Sequence, residues 1–561
     1  MINRLRALLA IMLSSISFTS LAIVSGEVIL DTPQGTLVGT VSKAARNVRA
    51  FKGILYAIPP IGERRWKPAE PAPRWGGERY ATSFSPACMQ PVQSTKSPGL
   101  FYQPALQDSE DCLYLNVWAP KKSDKEYPVM VWIHGGALTS GSTSSPFYDG
   151  TELAKKGVVL VSIQYRLGVF GYFSHPELTA ESPHGASGNY GTTDQIQALK
   201  WVQENITAFG GDPDNVTIFG ESAGGLSVSH LMASPLAKGL FHRAIMQSGY
   251  LPPMPMLKKS NFGLPPAEKT GLNIAARTGT KSLAELRALT PSQLLSNNSN
   301  IAELTETVVD GWVFTEQIFE TFEQGKQQDV PLVVGFNSGE GTHLSTYDAG
   351  LLPAIPSNQT SYIAAVRARY GNLAEEYLAL YPLSNRHEAQ FGPIRHGSND
   401  WAAERYAKMT GKIRSKAYLY YFNYSLPWAD KMNLGAFHGS DVAFVFNNLK
   451  HNIKFSHWPD YSASRVDVET ADRMSNYWVA FAKKGIPDVK GQPKWQSYSD
   501  QARHYLAFNQ SGPQPDINLD PGVYEFHERI ISKRRTRGDM SWNFFSIGLD
   551  APILSESKNR D

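Results

Sequence analysis

Cysteine is scarce in this chain of 561 residues, which contains only Cys88 and Cys112. A zinc site needs more ligands than two isolated thiols supply, so this composition speaks against a thiolate metal centre. In an exported protein, two cysteines that enclose a loop of about two dozen residues favour a disulfide instead. We therefore expect a Cys88–Cys112 bond if the chain is exported.

Long apolar runs are lacking too. Beyond the N-terminal region, no segment offers the roughly eighteen uninterrupted apolar residues of a membrane span. The N-terminal region resembles an export signal, with Arg4 and Arg6 before an apolar stretch and a small-x-small cleavage motif at residues 20–22. We expect a signal peptide over residues 1–22, with cleavage after Gly26 as an alternative, and a periplasmic or secreted protein. A retained anchor is the other interpretation, but the serines and threonines of this stretch make a weak spanning helix.

A strong charge of either sign is also missing. Charged residues make up 19% of the chain, and the net charge is +3, which becomes about +1 when Arg4 and Arg6 are removed with the signal. This balance does not point to a nucleic-acid partner. The basic run at residues 533–537 predicts a solvated helix face. With 42% hydrophobic residues, the composition excludes disordered and fibrous classes.

The chain has no Gly/Ser-rich or Pro-rich linker, no internal repeat and no low-complexity segment. Its length alone would suggest three or four domains, but large α/β folds often form one unit. We therefore expect a single domain over residues 23–561.

The hydrophobic pattern changes along the chain. Short alternating segments at residues 28–30, 35–41 and 50–56 predict a β-rich opening. Continuous apolar runs follow, and such runs are typical of central strands that are buried on both faces of a parallel sheet. They lie at residues 129–133, 158–162, 216–219, 244–248, 331–335 and 417–422. Helical spacing between residues 194 and 208 completes the pattern of a doubly wound α/β sheet.

The sequence Gly-Glu-Ser-Ala-Gly at residues 220–224 lies between a predicted strand and a predicted helix. A serine hydroxyl is a poor nucleophile unless a sharp turn presents it to a base and to backbone N–H groups, and small glycines permit such a turn. A chance match is the alternative, since this motif fixes three positions and about 0.2 matches are expected in a chain this long. Ser222 is the candidate nucleophile.

A second glycine-rich turn, His134-Gly135-Gly136-Ala137, directly follows a predicted central strand. Backbone N–H groups in such a turn stabilise the negative charge that a carbonyl oxygen gains during acyl transfer. A plain tight turn is the alternative for this tetrapeptide alone.

Five passages of the chain resemble type-B carboxylesterases, the cholinesterase, carboxylesterase and lipase branch of the α/β-hydrolase fold. They are EDCLYLNVW at residues 110–118, VWIHGGA at 131–137, GNYGTTDQ at 188–195, FGGDPDNVTIFGESAGG at 209–225 and GAFHGSD at 435–441. The resemblance covers nearly all of the chain after the signal. It implies an α/β-hydrolase with a large, mostly parallel central sheet flanked by helices, a β-rich N-terminal region and long insertions.

The resemblance also implies a triad. The family's acid is a glutamate followed by glycine after a strand, which Glu340 matches, and its base lies in a Gly-x-x-His-Gly loop, which His438 matches. The order Ser222, Glu340, His438 is that of α/β-hydrolases. Taken alone, a glutamate is usually a solvated surface residue, and His451 and His457 are rival histidines outside such a loop.

Further site residues follow from the same resemblance. The implied oxyanion hole consists of the N–H groups of Gly136, Ala137 and Ala223, with Ala137 where many relatives have a third glycine. Cys88 and Cys112 match the family's first disulfide. Glu221 and Ser248 match residues that lie directly behind the catalytic groups.

The implied reaction is two-step ester hydrolysis through an acyl-enzyme, without a metal or an organic cofactor. One alternative is a non-catalytic adhesion or binding ectodomain, and another is a narrower lipase or a choline, feruloyl or polycarboxylate esterase. Cholinesterases have a cation-binding tryptophan before the second cysteine of the first loop, whereas the counted position here is Tyr102, beside Phe101. We therefore expect neutral, moderately apolar esters as substrates and leave the oligomeric state open.

Overall fold

The computed structural model describes residues 26–91, 100, 107–296, 307–346, 354–451, 458–538, 547–551 and 553–554. Some predicted features lie outside the described residues. They are the expected signal at residues 1–22 and the side chains of Phe101, Tyr102 and His457.

Fifteen strands are seen in the described residues. The first eight are β1 (Glu27–Asp31), β2 (Thr36–Ser42), β3 (Ala45–Leu55), β4 (Glu78–Tyr80), β5 (Ala87–Cys88), β6 (Asp108–Ser109), β7 (Tyr114–Pro120) and β8 (Tyr127–Ile133). The others are β9 (Val159–Ile163), β10 (Gly211–Glu221), β11 (Arg243–Gln247), β12 (Leu332–Asn337), β13 (Ala417–Asn423), β14 (His504–Asn509) and β15 (Gly512–Ile517).

One large sheet has the order β1-β2-β3-β7-β9-β8-β10-β11-β12-β13-β14-β15, with β4 beside β2. Its centre, from β9 to β14, is parallel, whereas β1, β2, β3, β7 and β15 pair antiparallel with their neighbours in this order. In the middle of the sheet, Ile218 is in register with Val131 on one side and Ala244 on the other. The predicted mostly parallel sheet and β-rich opening are confirmed.

Seventeen α-helices accompany these strands in the described residues. The first nine are α1 (Thr151–Lys155), α2 (Gly168–Gly171), α3 (Pro176–Glu181), α4 (Tyr190–Asn205), α5 (Ala223–Ala233), α6 (Ala267–Thr278), α7 (Leu283–Ala288), α8 (Pro291–Ser296) and α9 (Ile318–Glu323). The others are α10 (Gln359–Tyr370), α11 (Ala374–Leu380), α12 (Arg386–Ile394), α13 (Trp401–Thr410), α14 (Pro427–Lys431), α15 (Val442–Val445), α16 (Arg465–Lys484) and α17 (Val523–Arg537). None of the described helices is long and apolar enough to cross a membrane.

Both faces of the sheet are buried. Along β8, Val131 packs in one hydrophobic cluster with residues of α4, α5 and α13, whereas the next residue, Trp132, packs in a second cluster with residues of α16. Strands covered on both sides need apolar residues at every position, which explains the continuous apolar runs. The carboxyl ends of parallel strands meet at one edge of the sheet, so the loops after β8, β10, β11 and β12 lie together there.

The basic run at residues 533–537 lies in α17 and differs from the expected solvated face. Arg534 is buried, and Arg535 donates to Glu323 and lies with its guanidinium 4.1 Å from the ring centre of Phe319. Lys533 alone of these three is exposed. The local charge pattern of this run does not show that acidic and aromatic residues of α9 contact it in the fold.

The predicted disulfide between Cys88 and Cys112 is present. Because it closes a 24-residue separation, chain entropy gives it a stabilising contribution of about 3–4 kcal/mol. We expect no free thiol in the denatured, unreduced protein, and a midpoint of urea unfolding that falls in the double variant Cys88→Ser/Cys112→Ser. Two titratable thiols in the untreated protein would contradict this prediction.

Candidate active site

Ser222 lies at a strained turn between β10 and α5. Its φ is 59°, a left-handed conformation that is uncommon outside glycine, and its N–H donates to Gln247 O at 2.9 Å. The turn needs glycine on both sides. A Cβ on Gly220 would lie 2.5 Å from the backbone of Gly224, and a Cβ on Gly224 would lie 2.0 Å from Ile133 O. The sharp strand-to-helix turn predicted from the motif is therefore observed.

The loop after β8 lies directly against this turn. A Cβ on Gly135 would be only 3.0 Å from the Cβ of Ser222. Gly136 has a φ of 104° and accepts hydrogen bonds at its carbonyl from the N–H groups of Thr139 and Ser140. This tight loop therefore begins beside the turn that carries Ser222.

Three N–H groups in this region are candidates for anion binding. Within the described part of the chain, the N–H groups of Gly136, Ala137 and Ala223 donate to no protein acceptor. Ala223 is the first residue of α5, where N–H groups lack partners within the helix and the helix dipole favours negative charge. Ala137 is exposed and has a φ of 54°.

Glu340 is fully buried in the loop after β12. Its Oε1 accepts from the N–H of Asn337 at 3.0 Å, and its Oε2 lies 2.5 Å from Nδ1 of His438. A backbone donor on one oxygen and an imidazole on the other fix the plane of the carboxylate. The structure thus brings together the two residues predicted as acid and base.

The other nitrogen of His438 points towards the turn that carries Ser222. Its Nε2 lies 3.2 Å from Oε1 of Glu221, the residue before Ser222. Burial alone would lower the pKa of His438, but the carboxylates of Glu340 and Glu221 raise it above its ordinary value. The site therefore stabilises a positively charged imidazole.

Glu221 itself is buried, and burial raises its pKa to about 8. Burial therefore favours the neutral form of this carboxyl group more than in an ordinary glutamate. It directly precedes Ser222, and its Oε1 faces Nε2 of His438.

A buried network that was missed from the sequence connects the loops of Ser222 and His438. Asp441, three residues after His438, accepts from Gln247 Nε2 at 2.8 Å, from Tyr420 OH at 3.1 Å and from Asn337 Nδ2 at 3.2 Å. The same Gln247 accepts the N–H of Ser222 with its carbonyl. Asp441 was part of the quoted GAFHGSD passage, and that passage was the available signal for it.

The remaining predicted positions are placed as follows. Ser248 is fully buried at the end of β11 with a φ of 49°, and its N–H donates to Gly335 O. The rival His451 lies instead at the surface, with Nε2 3.0 Å from Glu152 Oε1. The ring of His343, which sequence reasoning did not consider, stacks on His438 with 5.0 Å between the ring centres.

One group of residues has the chemistry of a metal site. Ligand atoms of His396, Asp400 and Asp520 all lie within 4.8 Å of one another. The guanidinium of Arg395, however, lies 2.9 Å from Nε2 of His396. Since a positive charge already occupies this place, we assign no metal to it.

The fold and this site define an α/β-hydrolase with a serine at the nucleophile turn. The sequence profile of the carboxylesterase family matches residues 26–381 and 396–526. The chain therefore belongs to the carboxylesterase family and is a serine enzyme that hydrolyses carboxylic esters.

Relatives of the chain agree with this assignment. The chain is 33% identical over 496 residues to the fumonisin B1 esterase of Sphingopyxis macrogoltabida, a match that covers 87% of this chain and 88% of the relative. It is 35% identical over 487 residues to the para-nitrobenzyl esterase of Bacillus subtilis, which covers 85% and 94%. A solved PNB esterase superposes with a TM-score of 0.73 at 30% identity, and a Geobacillus stearothermophilus carboxylesterase with 0.71 at 31%. Each match covers 89% of this chain and 99% of the solved chain.

Proposed function

We propose that the chain hydrolyses esters through a triad of Ser222, His438 and Glu340. His438 takes the proton of Ser222 as the hydroxyl oxygen attacks the ester carbonyl, and Glu340 stabilises the imidazolium that forms. The tetrahedral intermediate collapses, the alcohol leaves with the proton from His438, and an acyl-enzyme remains. Water then repeats the sequence and releases the acid and free Ser222.

The observation that carries this proposal is the position of the His438 ring. One nitrogen contacts buried Glu340 at 2.5 Å, and the other faces Glu221 beside Ser222 at 3.2 Å. A ring held in this way has its general base directed at the nucleophile turn rather than at solvent. The test is a comparison of the turnover of Ser222→Ala with that of Ser229→Ala.

We further propose that Gly136, Ala137 and Ala223 hold the oxyanion with their N–H groups. A Cβ at Gly136 would lie 2.2 Å from Ser140 O, so Gly136→Ala must move this loop and its donors. We expect kcat to fall about 10²–10³-fold, the typical cost of one oxyanion donor. Gly76→Ala is the matched control because nothing lies within 4 Å of that position. Equal kcat for the two variants would contradict the assignment.

We propose neutral, moderately apolar esters as substrates, supported by the absence of tryptophan between Cys88 and Cys112. An aromatic face attracts a quaternary ammonium by about 0.5–2 kcal/mol, and tryptophan is the best such face. The expected result is a kcat/KM for acylcholines no higher than that for uncharged esters of the same acyl chain. A clear preference for the acylcholine in a steady-state comparison would overturn this substrate class.

A further inference from the structure

An unusual helical segment contacts two loops of the site. Between α12 and α13, residues Arg395–Asp400 form a π-helix. Such segments are rare and frequently occur at functional sites. The carboxylesterase profile matches residues on both sides of 382–395 but not this stretch. Arg395 therefore lies outside the residues that the family profile matches.

Arg395 reaches the loop that carries the acid. Its Nη1 donates to Ser338 O at 3.2 Å, two residues before Glu340, and its Nη2 donates to Glu388 Oε1 at 2.7 Å. The side chain is only 12% exposed, so its contacts are poorly replaced by water. Ile394, the residue before it, packs so closely on Gly341 that a Cβ there would lie 3.1 Å away. The backbone on both sides of Glu340 thus contacts either Arg395 or the residue directly before it.

The same segment holds the turn behind Ser222. Asn399 is buried, and its Nδ2 donates to Ser248 O at 3.0 Å. Ser248 follows Gln247, whose carbonyl accepts the N–H of Ser222. One short helical segment therefore fixes both the acid loop and the support of the nucleophile turn.

We propose that Arg395 is a positioning residue that holds the Ser338 carbonyl and so keeps Glu340 in contact with His438, with Asn399 fixing Ser248 from the same segment. This inference rests on the proposed triad. Without the guanidinium, the loop loses the side-chain donor at Ser338 O, and a shift of about 1 Å at a catalytic group can reduce the rate about 10²-fold.

The test is the steady-state kinetics of Arg395→Met with a p-nitrophenyl ester. We expect kcat to fall about tenfold to a hundredfold with little change in KM, because the loss affects the transition state rather than substrate binding. Arg395→Lys keeps a charge and a donor and should restore most of the activity. Arg386→Met removes an exposed arginine at the start of the preceding helix, α12, and should leave kcat unchanged.

The pH profile of kcat/KM distinguishes a positioning role of Arg395 from a role in the stability of the fold alone. The ionisable groups that face His438 are Glu340, Glu221, Asp441 and His343. Glu340 raises the pKa of His438 against the effect of burial, so a loosened Glu340 lets this pKa fall. The acidic limb of kcat/KM should therefore move to lower pH in Arg395→Met. The double variant Glu388→Gln/Arg395→Met also removes the carboxylate that would otherwise lose its arginine partner. It should show the same shift of the acidic limb.

A wild-type kcat and acidic limb in the folded Arg395→Met variant would overturn the inference. So would equal losses in the Met and Lys variants with a lowered Tm and an unshifted limb, since these indicate a structural role only. The proposed triad is judged separately by Ser222→Ala. If that variant is inactive and Arg395→Met is unaffected, only the positioning role fails.

Discussion

Ser222→Ala is expected to lower kcat for ester hydrolysis by about 10⁴–10⁶-fold while the protein remains folded. Alanine removes the oxygen that forms the acyl-enzyme, so no covalent intermediate can arise. The Cβ remains, and the backbone contacts of the turn, including the N–H bond to Gln247 O, do not depend on the hydroxyl. Initial rates with a p-nitrophenyl ester and a thermal melt measure the two halves of this prediction.

A matched control for this substitution lies on α5. Ser229 is also buried, but its hydroxyl donates to the helix carbonyl of Leu226 rather than facing the site. Ser229→Ala should therefore retain turnover close to that of the wild type. Ser222→Ala with wild-type turnover would refute the nucleophile assignment, and a wild-type protein without any esterase activity would favour the non-catalytic alternative.

Glu340→Gln is expected to produce the second largest loss, about 10⁴-fold in kcat. A glutamine cannot carry the negative charge that stabilises the imidazolium. Its amide can also present N–H to Nδ1 of His438, which favours the tautomer that carries its proton on Nε2 and is unable to accept one from Ser222. Steady-state rates at the wild-type pH optimum measure the effect.

Glu221→Gln is the matched control, because Glu221 contacts the other side of the same ring. Since burial raises the pKa of Glu221 to about 8, the neutral form of its carboxyl is favoured more than in an ordinary glutamate, and glutamine resembles that neutral form. The loss of kcat should be much smaller than for Glu340→Gln. If the two variants lose the same activity, the separate roles assigned to the two carboxyl groups are wrong.

The central strands could be predicted from the sequence because burial on both faces demands continuous apolar runs. The predicted segments at 129–133 and 216–219 lie within β8 and β10. In contrast, β15 has prolines at 513 and 515 and four exposed residues, so it has neither pattern of a strand. The position of β9 between β7 and β8 follows from tertiary packing and left no local signal.

In the site, too, some residues could be predicted from the sequence and others could not. Ser222, Glu340 and His438 stand in motifs, because the turns that present them need glycines at fixed positions. Arg395 and Asn399 act through hydrogen bonds to carbonyl groups of distant loops, and any carbonyl can accept such a bond whatever its residue type. No sequence pattern therefore indicated their contacts with the catalytic loops.

Covalent labelling shows directly whether Ser222 is the nucleophile. The wild-type protein is incubated with an organophosphate, the modified peptide is identified by mass spectrometry, and the residual esterase activity is followed in parallel. Our account predicts one label per chain, on Ser222, with activity lost in proportion to labelling and no label in Ser222→Ala. Inactivation without modification of Ser222, or full labelling with retained activity, would contradict it.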